Sequence, residues 1–237
     1  MGVIGRLAIP LLLLALSGCG QVAQRTAASH PTPVARPTVR LLFVGASVTA
    51  GYGALDPAHA YPELVVSRLQ AAGWNMVVHV VAHPGATAGE ARGWPLNLPS
   101  DAIVVHLVTN DYARDTPLLD YRAEYADLIG RLRASSPRAR LVCLGGWDSP
   151  SAFNRLGVPA RSYNEVAREV CEQAAGTFVD ISGLYLQSDD HGPAGTATAL
   201  GLRDTFHPND LGHRKLAAAV LKALGMPAAA SGSRTTV

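Results

Sequence analysis

The apolar run Val39-Arg40-Leu41-Leu42-Phe43-Val44 stops at Gly45-Ala46-Ser47 and enters a glycine-punctuated turn that ends at Gly53. A strand that halts at a glycine and then presents a serine suits a nucleophile held at the C-terminal edge of a sheet. That edge is where open α/β folds form their ligand crevices. A serine hydroxyl attacks poorly at neutral pH until a neighbouring base takes its proton. Histidine is the side chain whose ordinary titration range fits that task. Three further stretches gather chemistry-bearing residues: Gly85 in the small-residue loop Ala82 to Gly89, Asn110-Asp111 after an apolar run, and Asp204-Thr205-Phe206-His207 near the C-terminus.

Bringing positions so far apart in the chain to one place requires a scaffold with several strand ends on one edge. Val39 to Gly45 predicts a first strand, buried on both faces because its apolar residues occupy consecutive positions. Ala60 to Ala72 predicts a helix, with Pro62 near its start, Gly73 as its stop, and Tyr61, Leu64, Val65 and Leu69 at helical spacing. Further strands are predicted over Trp74 to Ala82, Asp101 to Thr109, Arg140 to Gly146 and Thr177 to Ile181. Helices are predicted over Leu118 to Ala134, Ala160 to Ala175 and Asp210 to Leu224. This alternation implies βαβ units, a mostly parallel central sheet and a three-layer α/β/α sandwich forming one domain over residues 38–227. Gly183 to Asp204, poor in apolar periodicity, predicts a long loop that shapes a binding site.

With 237 residues, 48% of them hydrophobic and 16% charged, the chain can bury a core of domain size. A formal charge of +2 with scattered arginines gives no electrostatic footprint for a nucleic-acid partner. Arg6 precedes the apolar run Leu7 to Leu16, too short to span a bilayer as a mature helix, so residues 1–18 predict an export signal. Leu16-Ser17-Gly18-Cys19 resembles a bacterial lipobox. That resemblance implies cleavage before Cys19, lipidation of Cys19 and attachment to a membrane through more than one acyl chain. Ordinary secretion is the alternative. Residues 19–37 predict a flexible tether and residues 228–237 a disordered tail. The apolar surroundings of Cys143 and Cys171 predict two buried free thiols, and their spacing predicts no metal site.

The four blocks stand in a fixed order and are followed by His207-Pro208-Asn209-Asp210-Leu211-Gly212-His213. In this they resemble the SGNH hydrolases, also called the GDSL-like lipase/esterase family, from Leu41 to about Leu224. The resemblance implies the flavodoxin-like sandwich of that family and ester hydrolysis without metal or organic cofactor. By the same resemblance Ser47 is the nucleophile, His207 the base and Asp204 the acid that fixes the imidazole tautomer. The Ser47 N–H, the Gly85 N–H and the Asn110 side-chain amide form the implied oxyanion hole. Two departures stand out: Ala46 replaces the aspartate of Gly-Asp-Ser, and Val108 replaces the glycine of Gly-x-Asn-Asp. Neither removes a member of the catalytic set, although Val108 is expected to press on the catalytic floor.

The expected function is hydrolysis of a short acyl ester, acetyl foremost, on a glycan or small molecule. One alternative is a lipase or lysophospholipase with an apolar groove around Trp94 to Leu98 and Leu184 to Leu186. A second is a catalytically silent envelope protein that binds glycan, motivated by Ala46 and Val108. Among the remaining conspicuous groups, His79 and His106 are expected in the core, and Asp111 as a local structural acceptor. His213 is expected to start or cap the last helix, and Asp189-Asp190-His191 to form a solvated loop. His83 and Trp147-Asp148 are candidates to line the pocket.

Overall fold

The computed structural model describes residues 38–226, together with Gly2. The expected export signal, Cys19, tether and tail lie outside the described residues. Strand β1, Thr38–Gly45, leads into the short helix α1, Ser47–Ala50. Helix α2, Tyr61–Ala71, and strand β2, Asn75–Ala82, follow, then the short helix α3, Ala88–Ala91. Strand β3, Ala102–His106, precedes α4, Thr109–Ala113, and the long α5, Leu118–Ser135. Strand β4, Arg140–Leu144, helix α6, Ala160–Gln173, and strand β5, Thr177–Val179, continue the alternation. After the one-turn α7, Ser182–Tyr185, the strands β6, Ala197–Thr198, and β7, Gly201–Leu202, form a small antiparallel pair before the last helix, α8, Asp210–Leu224.

The five long-range strands form one sheet in the order β2-β1-β3-β4-β5, every pairing parallel. The chain therefore makes the three-layer α/β/α sandwich with a parallel sheet. Successive strand residues face opposite sides, and both sides are covered. Leu42, Val44, Ile103 and Val105 pack toward α5 and α6 with Tyr121, Tyr125, Leu128 and Val166. Leu41, Phe43, Val104 and Val142 pack toward α2 and α8 with Tyr61, Val65, Leu216 and Val220. Burial on both faces explains why β1, β3 and β4 read as unbroken apolar runs. Reversal of strand order beside β1 opens a crevice at the C-terminal ends of β1 and β3.

Several expectations need correction. Cys143 and Cys171 are not free thiols; they form a disulfide. Both are fully buried, as their apolar neighbours indicated. However, Cys143 faces α6 from β4 and Cys171 faces the sheet from α6, a pairing that depends on which faces meet. His79 is exposed, because β2 is an edge strand with an alternating, half-open burial pattern. The third strand ends at His106, and Asn110 and Asp111 stand on α4 instead of continuing it. The helix α8 is capped by Asn209, whose side chain accepts from the Leu211 and Gly212 N–H groups, while His213 is wholly buried inside the helix. Asp190 is not solvated: it is buried and paired with Lys215.

Candidate active site

The turn after β1 presents Ser47 as the first residue of α1, with the Ala50 N–H bonded to the Ala46 carbonyl at 2.9 Å and the Tyr52 N–H to the Ser47 carbonyl at 3.0 Å. From 160 positions further along the chain, His207 brings Nε2 to 2.9 Å from the Ser47 Oγ. The opposite ring nitrogen, Nδ1, lies 2.6 Å from one Asp204 oxygen. The second Asp204 oxygen accepts the backbone N–H groups of Phe206 and His207 at 2.9 and 2.7 Å. Burial alone would raise the Asp204 pKa, but those backbone donors and the His207 ring outweigh it and hold the carboxyl below its usual value.

The two segments meet because the intervening groups fix them together. Gly53 has φ of 85°, and a Cβ there would run into the Pro208 carbonyl, so only glycine lets the turn lie this close to the segment following His207. Buried Arg203 donates Nε–H to the Gly53 carbonyl at 2.7 Å, and the Leu55 N–H donates to Asp210 at 2.8 Å. His213 accepts the Tyr61 N–H on Nδ1 at 3.2 Å and donates Nε2–H to the Tyr52 carbonyl at 2.9 Å. That pattern requires a neutral ring, and burial lowers the His213 pKa to about 4. The Tyr52 ring lies 5.2 Å from the His207 ring. On the far side, Trp147 donates its indole N–H to the Phe206 carbonyl at 2.7 Å.

A second pair of clamps organises the opposite rim. Gly85 takes φ of 80° in the turn after β2. Asn110 donates one amide hydrogen to the adjacent Ala86 carbonyl at 2.9 Å, which leaves its second amide hydrogen for a ligand. Its neighbour Asp111 accepts the Ala88 N–H at 2.9 Å, the local structural role that its position suggested. Burial raises the Asp111 pKa to about 7 against the pull of that N–H. A small cleft of about 10 Å³ opens beside Ser47, lined by Ala46, His106, Val108, Asn110 and Phe206 among others. Val108 is buried in the core layer under α5, and Asn110 still reaches the loop carrying Gly85.

Of the residues singled out in the sequence, Ser47, His207 and Asp204 come together in one hydrogen-bonded line, and Asn110 is tied to the residue next to Gly85. The His83 ring lies against Trp94, with centres 4.6 Å apart and planes tilted by 50°, and His83 is not among the residues lining the cleft. Trp147 is buried and acts on Phe206 through its N–H instead of lining the cleft. Asp148 is buried with neither carboxylate oxygen hydrogen-bonded among the described residues, and burial raises its pKa to about 7. The bracing by Arg203 and the place of His106 in the cleft wall were not anticipated. The one sequence signal for His106 was a polar residue closing the strand whose next polar residues are Thr109 and Asn110.

The GDSL-like Lipase/Acylhydrolase family matches residues 43–215, most of the chain. The protein belongs to this family and is a GDSL-type serine hydrolase acting on ester bonds. No curated protein matches it by sequence. Among solved structures, a mutant of Axe2, an acetyl-xylooligosaccharide esterase from Geobacillus stearmophilus, is similar at 19% identity and TM-score 0.63, covering 81% of this chain and 97% of that one. The psychrotrophic esterase EstA from Pseudoalteromonas sp. is similar at 16% identity and TM-score 0.62, covering 78% and 96%. A carbohydrate esterase family 2 enzyme with a carbohydrate binding domain, from Corynascus thermopiles (Myceliophthora fergusii), is similar at 18% identity and TM-score 0.59, covering 82% and 69%. At these identities the likeness is one of fold.

Proposed function

We propose that the protein removes short acyl groups, acetyl foremost, from a glycan or small alcohol, with Ser47 as nucleophile. The observation that carries this reading is the unbroken line from Ser47 Oγ through His207 to Asp204, at 2.9 and 2.6 Å. His207 takes the Ser47 proton as Oγ bonds to the acyl carbon, then gives it to the departing alcohol as the ester C–O bond breaks. Water, activated by the same ring, releases the acid and returns the proton to Ser47. Asp204 holds the imidazole orientation and favours the transient imidazolium. The Ser47 and Gly85 N–H groups and the free Asn110 amide hydrogen receive the oxyanion. A single side-chain amide donor of this kind contributes about 3 to 4 kcal/mol in a comparable hydrolase.

The short acyl chain follows from the size of the cleft. About 10 Å³ beside Ser47 is close to the room of one water molecule, whereas sites for larger ligands start near ~300 Å³. Glycan as the alcohol is supported by the acetyl-xylooligosaccharide esterase and the carbohydrate esterase among similar folds. A panel of activated esters of rising chain length, assayed with wild type and Ser47→Ala, tests both parts. The reading expects turnover to peak at acetyl and to vanish in the variant. A peak at eight carbons or beyond would replace it with a lipase.

We further propose export and attachment through Cys19. Leu16-Ser17-Gly18-Cys19 supports this, as does the Cys143–Cys171 disulfide, since disulfides persist in oxidising compartments. Radioactive palmitate should label wild type and not Cys19→Ala. Absence of label from both would reject the anchor.

A further inference from the structure

The edge of the sheet opposite Ser47 gathers arginines from separate elements. Arg40 stands near the start of β1, Arg140 opens β4, Arg133 lies in the last turn of α5, and Arg138 follows that helix. Three adjoining hollows of about 430, 310 and 490 Å³ open on this edge, and Arg138 lines all of them. Among the described residues, Asp101 is the one acid in their walls. Arg40 takes it up at 3.0 Å, while Arg133 donates to the carbonyls of Ala139, Ala174 and Ala175. The guanidinium groups of Arg138 and Arg140 have no ion-pair or hydrogen-bond partner among the described residues, and both residues are exposed. A Cβ at Gly225, the C-cap of α8, would lie 3.4 Å from the Arg140 Nη1, so part of the role of Arg140 is to complement that helix end.

Thr38, the first residue of β1, is exposed at the same edge. Fewer than twenty residues separate it from Cys19, so an anchor on Cys19 is joined to this edge and not to the catalytic one. A surface of acidic phospholipid attracts basic side chains only within about one Debye length, ~10 Å at 0.1 M salt, so the face that meets it decides the attraction. Guanidinium groups match phosphate oxygens in geometry as well as charge. Hollows of this size are in the range that admits a small polar group.

We propose that this edge docks on a membrane surface of acidic phospholipids, with Arg138 and Arg140 pairing headgroup phosphates. The proposal rests on export and attachment through Cys19. Strand β1 spans eight residues, roughly 25 Å at about 3.3 Å per residue. Docking at its start therefore holds Ser47 at that height above the lipid, facing away from it. The esters within reach are then those outside the bilayer, as on a glycan, and not those of its own lipids.

The test places the exported, mature protein on vesicles of phosphatidylcholine, alone or mixed with phosphatidylglycerol, each carrying nitroxide-labelled headgroups. Trp74 lines one of the hollows, so quenching of its emission, taken as the difference from Trp74→Phe, reports contact of this edge with headgroups. Wild type should be quenched at least about twofold more on the mixed vesicles, and the excess should vanish in ~1 M salt, where the screening length falls to ~3 Å. Arg138→Glu with Arg140→Glu should abolish the excess and still hydrolyse a soluble acetyl ester at the wild-type rate. Equal quenching on both lipids with protein afloat on both, or an excess undiminished by charge reversal, overturns the docking and leaves the Cys19 anchor standing. Flotation with the mixed vesicles alone, lost on charge reversal, keeps the docking and rejects the anchor. Flotation with neither overturns both.

Discussion

The indole N–H of Trp147 meets the Phe206 carbonyl at 2.7 Å, so a buried side chain just beyond β4 holds the backbone between Asp204 and His207. Replacing Trp147 with phenylalanine keeps much of the packing and leaves that carbonyl without its donor. Stability should fall by about 1–3 kcal/mol, read from urea unfolding. If the bond also sets the His207 ring, kcat should fall roughly tenfold, equivalent to 1.4 kcal/mol in the barrier, with KM little changed. Equal kinetics for wild type and Trp147→Phe would confine the bond to a structural role.

Asp204→Asn keeps the shape of the acid and removes its charge. The imidazole then loses both the group that fixes its tautomer and the group that stabilises its cation. By analogy with the same change in other triads, kcat should drop about 10³- to 10⁴-fold. The lowered Asp204 pKa means that its stabilising contribution is present above the usual aspartate range and is lost as pH falls through its folded value. Unfolding curves taken below pH 4 should therefore separate wild type from the variant less than those at neutral pH.

The disulfide between Cys143 and Cys171 closes a separation of 28 residues and ties α6 to the centre of the sheet. Constraining a loop of that length in the unfolded chain is worth about 3.6 kcal/mol in the chain-entropy account. Reductant, or Cys143→Ala with Cys171→Ala, should lower Tm by several degrees. An unchanged Tm with reductant would indicate that the thiols are not bonded.

Asp148 gives a pH effect of the opposite sign to that of Asp204. Burial, with Asp180 nearby, raises its pKa to about 7, so the folded protein holds a proton that the unfolded chain releases near pH 4. Its contribution is therefore complete at low pH and is lost as pH rises toward 7. Asp148→Asn mimics the protonated form and should raise Tm at pH 8 while changing it little at pH 5. A uniform shift at both pH values would contradict the assigned titration.

The parts of the molecule that were legible in the sequence are those written in local pattern. The last helix, Asp210–Leu224, shows its apolar period and its start in the residues themselves, and the unbroken apolar run of β1 announces burial on both faces. Ser47, Gly85, Asn110, Asp204 and His207 stood out through motif spacing. What stayed hidden depends on partners remote in the chain. Cys143 and Cys171 look alike whether bonded or free, because apolar neighbours report burial and not pairing. His79 looks internal in an apolar run, yet edge position exposes it. His213 sits where a cap is plausible, and only the approach of Tyr52 and Tyr61 shows why the site must be a buried, neutral ring. Arg203 gave no signal, since the carbonyl of Gly53 that it bonds lies 150 positions away.

The central claim is that Ser47 becomes covalently acylated. An alkyl fluorophosphonate mimics the ester: its phosphorus bonds to an activated serine oxygen and fluoride departs. Intact-mass and peptide analysis should find a single adduct on the peptide containing Ser47 in wild type, and none in Ser47→Ala. An adduct on another residue, or one that persists undiminished in Ser47→Ala, would contradict the account.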